Sequence, residues 1–222
     1  MNPTWKHRTW DHARLRKACE EYGPECVAKF DSYEHFIQQV DFGRYVVLYL
    51  YGGITVDCDM LAIRPLDNIP KLESSKLIVS RANRTLLETT VTTMGHIANN
   101  RWFINNAFIA AEQRNPDIKR LIESCIADRT KQEDYMSQAY FVSNTTGPIR
   151  FSMTLKDSPM TILYSDVIES EYENEKAIFI HEHELSWTEP GLASIFKLYL
   201  LIQNYKILFI HLILIILFYF LK

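Results

Sequence analysis

Asp57 and Asp59 straddle one cysteine in the segment DFGRYVVLYLYGGITVDCDM, residues 41–60. Two carboxylates at i and i+2, leaving the end of a short strand, can converge on one hard cation. Magnesium and manganese prefer such oxygen ligands and keep places for waters and substrate phosphates. A cation held there can bridge a diphosphate and neutralise the charge that develops as a nucleotide departs. Upstream, Asp41 and Arg44 stand one helical turn apart and could hydrogen-bond a polar ligand together. The other reading of that pair is a surface helical ion pair, worth only a few tenths of a kcal/mol. Cys58 falls on the opposite strand face from its two neighbours, which makes packing its default role. An isolated Asp-x-Asp is a weak signal, because most such pairs are ordinary turn residues.

The elements that must position these groups can be read from periodicity and punctuation. A helix is expected over Asp11–Tyr22, capped by Asp11, with Leu15, Ala18, Cys19 and Tyr22 along one stripe and Gly23-Pro24 as its stop. A second runs from about Tyr33 to Tyr51 and ends at Gly52-Gly53. The alternating residues ITVD then read as a strand delivering Asp57. Further strands are expected at LIVS (77–80), TILYS (161–165) and AIFIH (177–181), and a helix opens at Asn115-Pro116. FINNAFIAA (103–111) fits a strand, or a strand turning into a helix. Strands alternating with helices indicate an α/β class around a largely parallel sheet.

In this context the segment around the two aspartates resembles the D-x-D sugar-binding region of glycosyltransferase family 32. That family includes initiating α-1,6-mannosyltransferases and inositol-phosphorylceramide mannosyltransferases. Asp41, Arg44, Tyr45, Leu48, Gly52, Gly53, Asp57 and Asp59 meet its pattern, and Thr55 departs from it where tyrosine is common. NPTWKHRTWD (2–11), Arg64-Pro65-Leu66, NNAFIAAEQRNPDI (105–118), Thr146-Gly147-Pro148 and the run from His181 to Ser186-Trp187 are similar to further blocks in order. The resemblance covers about residues 2 to 190. It implies a nucleotide-sugar-binding type A fold, with a mostly parallel sheet flanked by helices. It also implies transfer of a hexose, with retention, from a nucleotide diphosphate sugar (GDP-mannose or a UDP-hexose). The acceptor would be a hydroxyl on a glycan, a sphingolipid or a protein.

The resemblance likewise assigns roles. Asp57, Asp59 and His181 would hold Mn2+ or Mg2+, and Asn106 would stabilise the sugar. Asp41, Arg44, Tyr45, Gly53, Ser186 and Trp187 would contact the donor, with the segment from His181 to Trp187 closing over the diphosphate. His183 shares a strand face with His181 and could substitute for it. Without the family context, Asn105 and Asn106 read equally as turn residues, Thr146-Gly147-Pro148 as a turn before a helix near Ile149, and Trp187 as core. The family's usual first strand is absent from the transferase region, residues 1–194. That departure supports the rival reading, a non-catalytic transferase domain retained as a membrane-tethered binding module.

The remaining composition sets limits. With 24 basic against 27 acidic residues and no basic block, a nucleic-acid partner is not expected. Four cysteines without a CxxC pair exclude the usual zinc spacing. MNPTWKHRTWDH carries no apolar signal-peptide core. Residues 195–222 form a hydrophobic tail, and Ile207–Leu221 is apolar except for His211. Extended back to Leu198, it reaches the roughly 20 residues a bilayer requires. The expectation is a single-pass C-terminal anchor in an endomembrane. Lys206 and Lys222 flank both ends, so they leave open which side the head faces.

Overall fold

In the computed structural model, residues 1–81, 104–135, 137–170 and 172–182 are described. His183, Ser186, Trp187 and the tail expected from residue 195 onward lie outside the described residues. Among the described residues no helix is long and apolar enough to cross a membrane.

Helix α1 (His12–Tyr22) begins where Asp11 accepts a 2.8 Å hydrogen bond from the Arg14 amide, satisfying one orphan donor of the first turn. Leu15, Ala18 and Cys19 are buried on its inner face. Gly23-Pro24 ends this helix and also starts another, α2 (Pro24–Asp31), because proline is pre-organised for a first helical position. Helix α3 (Phe36–Tyr51) starts later than Tyr33. His35 is extended, and its amide donates to the Gln38 side chain at 3.2 Å in a capping box.

Gly52 closes α3 at φ 65°, and a Cβ there would lie 2.7 Å from the Gln113 amide nitrogen. Both the left-handed backbone and the close approach require glycine. Gly52→Ala should therefore lower the unfolding free energy by about 1–3 kcal/mol. A urea titration that finds less than half of that would show that the β4 end yields freely.

Strands β1 (Gly53–Val56), β2 (Met60–Ala62), β3 (Leu77–Arg81) and β4 (Ile104–Ala111) follow. After them come α4 (Pro116–Ala127), α5 (Gln138–Thr145) and α6 (Pro148–Leu155). The described chain ends with β5 (Thr161–Leu163), α7 (Ser165–Ile168) and β6 (Phe179–His181). A four-stranded sheet has the order β1-β4-β3-β5, and β2 and β6 form a separate antiparallel pair.

The expected largely parallel sheet is corrected here. Strand β4 runs antiparallel to both β1 and β3, and among the described strands of this sheet only β3–β5 pair in parallel. Helix–strand alternation predicts parallel pairing only when a helix returns the chain between neighbouring strands. Helices α1–α3 all precede β1, and β1 and β3, which flank β4 without pairing with each other, are joined through β2 and a 3-10 turn at Leu66–Asn68, so helices do not alternate with these strands. The architecture is a mixed α/β arrangement.

The sheet divides two cores by the two-residue alternation of its strands. Leu77, Val79, Ile109 and Ala111 pack with α1, α2, α3, α4 and α6 around Phe30, Phe42, Tyr45, Leu48, Leu121 and Phe151. Ile78, Phe108 and Ala110 face the other way, onto Met60, Leu163, Ile168, Ile178 and Phe179. The second core therefore joins the β2–β6 pair to the main sheet. The segment resembling the family's first block packs on its post-motif turn. Asn2 Oδ1 accepts from the Leu66 amide at 2.8 Å, and Trp5 Nε1 donates to Asp67 at 2.8 Å.

Candidate functional site

Strand β1 hands its chain directly to Asp57, whose amide donates to the Ala107 carbonyl on β4 at 2.9 Å. A tight turn follows in which the Met60 amide donates back to the Asp57 carbonyl at 3.2 Å, so Asp59 leads into β2. Register then brings in the third group, because Met60 stands opposite His181 in the β2–β6 pair. The Glu182 amide donates to the Asp59 carbonyl at 3.0 Å and closes the corner.

Ligand-capable atoms of Asp57, Asp59 and His181 consequently lie within 4.8 Å of one another. His181 Nε2 is 3.4 Å from Asp59 Oδ1. The imidazole is 7% exposed, and the Asp57 and Asp59 side chains are 32% and 20% exposed. One buried nitrogen and two partly exposed carboxylates make a donor set that fits an octahedral cation with open places toward solvent. Cys58 is exposed rather than packed, because the turn takes it off the strand before its face can matter.

Behind the carboxylates sits a buried polar layer. Asp41 and Arg44 are 6% and 9% exposed, so the surface ion pair reading is excluded. The Arg44 guanidinium reaches across to Asp57 and to the Asn106 carbonyl with its two terminal nitrogens. Asn106 lies on β4, not in a turn, and so does Asn105. The Asn106 amide donates to Asp41 at 2.9 Å and to the Tyr45 hydroxyl at 3.0 Å. Tyr45, fully buried, donates to the Thr146 carbonyl at 2.6 Å, and the Thr146 hydroxyl lies 3.4 Å from Asp41. Thr146-Gly147-Pro148 is therefore both the start of α6 and a wall of this layer. Gly53, at φ 102°, has nothing within 4 Å of where a Cβ would stand.

The electrostatics follow from burial. Desolvation raises the Asp41 carboxyl from its ordinary 3.8 to about 7, against the lowering effect of Arg44. Such a group binds its proton more tightly in the folded chain. Its contribution to stability is fullest below 3.8 and is lost as pH rises through about 7. The unfolding free energy of the native chain, relative to Asp41→Asn, should fall by a few kcal/mol over that interval. Parallel pH profiles for the two proteins would show that Asp41 does not titrate there. For His181, burial lowers the affinity for a proton, but Asp59 and Glu169 outweigh it and raise the value to about 9. A cation binding at Nε2 would take the place of that proton.

Glu169 escaped the sequence reading. It follows α7 without any motif, yet is 3% exposed and accepts from the Ser80 hydroxyl and, at 2.7 Å, from the Asn105 amide. Its other neighbour is His181, whose Nδ1 lies 3.7 Å away. Nothing local in the sequence marks it, since its partners come from β3, β4 and β6.

Residues 2–76 match the family model described as the glycosyltransferase sugar-binding region containing a DXD motif. Over 67 residues, 30% of this chain, the sequence is 34% identical to "Uncharacterized glycosyltransferase L373" of Acanthamoeba polyphaga mimivirus, covering 27% of that protein. It is 33% identical over 67 residues to inositol phosphoceramide mannosyltransferase 3 of Schizosaccharomyces pombe, covering 19% of it. The match thus spans roughly a quarter or less of these relatives' length. A solved structure, "PaToxG Glycosyltransferase", aligns with 68% of this chain and 45% of its own at 18% identity and a TM-score of 0.39, too slight to bear on the fold. Over residues 2–76 the chain is therefore similar to the glycosyltransferase sugar-binding region that contains a DXD motif.

Proposed function

We propose that the chain is the catalytic part of a metal-dependent, retaining hexosyltransferase of type A fold. It moves mannose, glucose or galactose from a nucleotide diphosphate donor to a hydroxyl of a glycan, a lipid or a protein. The observation that carries this reading is the convergence of Asp57, Asp59 and His181 within 4.8 Å. Mn2+ or Mg2+ held there supplies Lewis-acid stabilisation of the departing diphosphate.

The protein's own part is positioning. Arg44 occupies one oxygen of Asp57 and leaves the other to face a ligand. Asn106 spends both amide hydrogens on Asp41 and Tyr45, so its amide oxygen is the end that can accept a sugar hydroxyl. Asp41, Arg44 and Tyr45 act one layer behind the donor, and the donor meets Gly53 and the exposed edges of Asp57 and Asp59. The carboxylates near the site are engaged: Asp41 by Asn106, Asp57 by Arg44, and Asp59 and Glu169 around His181. That supports departure and attack on one face of the sugar without a covalent carboxylate intermediate. Ser186 and Trp187 would complete the donor site, and residues 198–221 would anchor the chain in an endomembrane.

Purified protein incubated with Mn2+ and UDP-glucose, UDP-galactose or GDP-mannose should hydrolyse one donor slowly in the absence of acceptor. Hydrolysis of phosphate esters in general would replace this reading with a phosphohydrolase, and no turnover of any donor with a correctly folded chain would replace it with a binding module. For the tail, the full chain should resist carbonate extraction from membranes. A chain ending at Ser194 should be released, and if it cannot fold the tail belongs to the core.

A further inference from the structure

We propose that Glu169 is the positioning residue for His181, orienting the imidazole so that Nε2 faces Asp59 and fixing the ligand-bearing strand against the main sheet. The inference rests on the reading of Asp57, Asp59 and His181 as cation ligands.

Three observations support it. First, a carboxylate that is 3% exposed must be compensated, and its two hydrogen-bond partners, Ser80 and Asn105, are neutral. Among the described residues, the group beside it that can answer its charge is His181, with Nδ1 at 3.7 Å. Second, the two ring nitrogens divide cleanly. Nε2 turns to Asp59 at 3.4 Å while Nδ1 turns to Glu169. A carboxylate behind a ligating imidazole sets its tautomer and its ring orientation and increases its donor strength. Third, the partners belong to different sheets. Ser80 lies on β3 and Asn105 on β4, in the four-stranded sheet, while His181 lies on β6 in the two-stranded one. The Ser170 hydrogen bonds continue the same link, since the His181 amide donates to the Ser170 carbonyl at 2.9 Å. Glu169 therefore lets the rigid main sheet dictate where a ligand from the smaller sheet points.

The test uses Mn2+ alone, titrated into the whole protein and followed by electron paramagnetic resonance, with no sugar nucleotide present. Glu169→Gln keeps an oxygen toward Asn105 and His181 and removes the charge, and Glu169→Ala removes both. Glu169→Gln should bind Mn2+ roughly 10–100-fold more weakly than the native chain. Its metal-free thermal midpoint should stay close to the native value, and Glu169→Ala should lose at least as much affinity. Ring-nitrogen chemical shifts of His181 in the metal-free protein should differ between native and Glu169→Gln chains at one pH. If the native chain binds Mn2+, and Glu169→Gln binds it equally with unchanged ring shifts, Glu169 only fills space and the inference is overturned. If the native chain itself does not bind Mn2+ while Asp59→Asn behaves identically, the cation reading fails and this inference falls with it.

Discussion

If the chain is the proposed transferase, Asp59→Ala should lose donor turnover by roughly 10²–10³-fold or more while the domain stays folded. The size follows from where Asp59 sits. It is a turn residue between β1 and β2 whose side chain is 20% exposed. On the proposed reading, removing it would take away a ligand from the cation that would stabilise charge on the diphosphate as it departs. The backbone bond from the Glu182 amide to the residue 59 carbonyl survives the substitution, so the β2–β6 corner persists. Circular dichroism should overlay that of the native chain, and added Mn2+ should no longer raise turnover. Near-normal turnover that still responds to Mn2+ would remove Asp59 from the site.

Arg44→Met carries the largest expected effect on stability. It keeps the aliphatic length of the side chain but strips the cation from between Asp57 and the Asp41–Asn106 layer. Breaking one side of a buried ion pair typically costs about 3–5 kcal/mol, and the 32% exposure of Asp57 points to the lower end. Asp41 adds a pH signature. Its carboxyl, already raised to about 7 by burial, loses the neighbouring charge that favours ionisation. The variant should therefore be penalised most at about pH 8, where Asp41 must ionise, and least at about pH 5, where it keeps its proton. Urea unfolding at both values measures the difference. Arg44→Lys should recover only part of the loss, because one ammonium cannot span Asp57 and the Asn106 carbonyl as a planar fork does. A loss below about 1 kcal/mol, flat with pH, would show that the buried guanidinium contributes no more than an exposed ion pair does.

What the sequence disclosed and withheld divides along the range of each interaction. Asp11 as a cap, Gly52 as a stop, Pro116 as a first helical position and the ITVD strand are local signals, and each lies where it was expected. The two aspartates were legible because their spacing alone limits what they can do. Asp41 and Arg44 were placed one helical turn apart, but only the packing of α3 on β4 decides that both are inward. The sense of the strands was misread because element order carries no direction without a connecting helix. FINNAFIAA was ambiguous because a run buried on both faces has no alternation, and the two sides of β4 are indeed in two cores. Glu169 was invisible because every partner that makes it meaningful is remote in the chain.

The pairing of Met60 with His181 has one more consequence, for how the molecule comes together. That contact closes everything between residues 60 and 181 into one loop, roughly two thirds of the span from residue 1 to residue 182. Loop closure grows only as the logarithm of length, about 0.6 kcal/mol for each doubling, so the finished protein tolerates it easily. The burden falls on time, because contacts between distant residues form late. A nascent chain that has emerged through residue 76 carries both aspartates, but its β1 has no β4 to pair with and no imidazole to complete the corner. The segment that carries the family's signature is thus not a unit that can assemble by itself. A cation that binds only the completed corner would then stabilise the whole domain by mass action, by RT ln(1 + [L]/Kd). Divalent ions in the compartment of synthesis would act on the yield of folded chains before they act on any sugar.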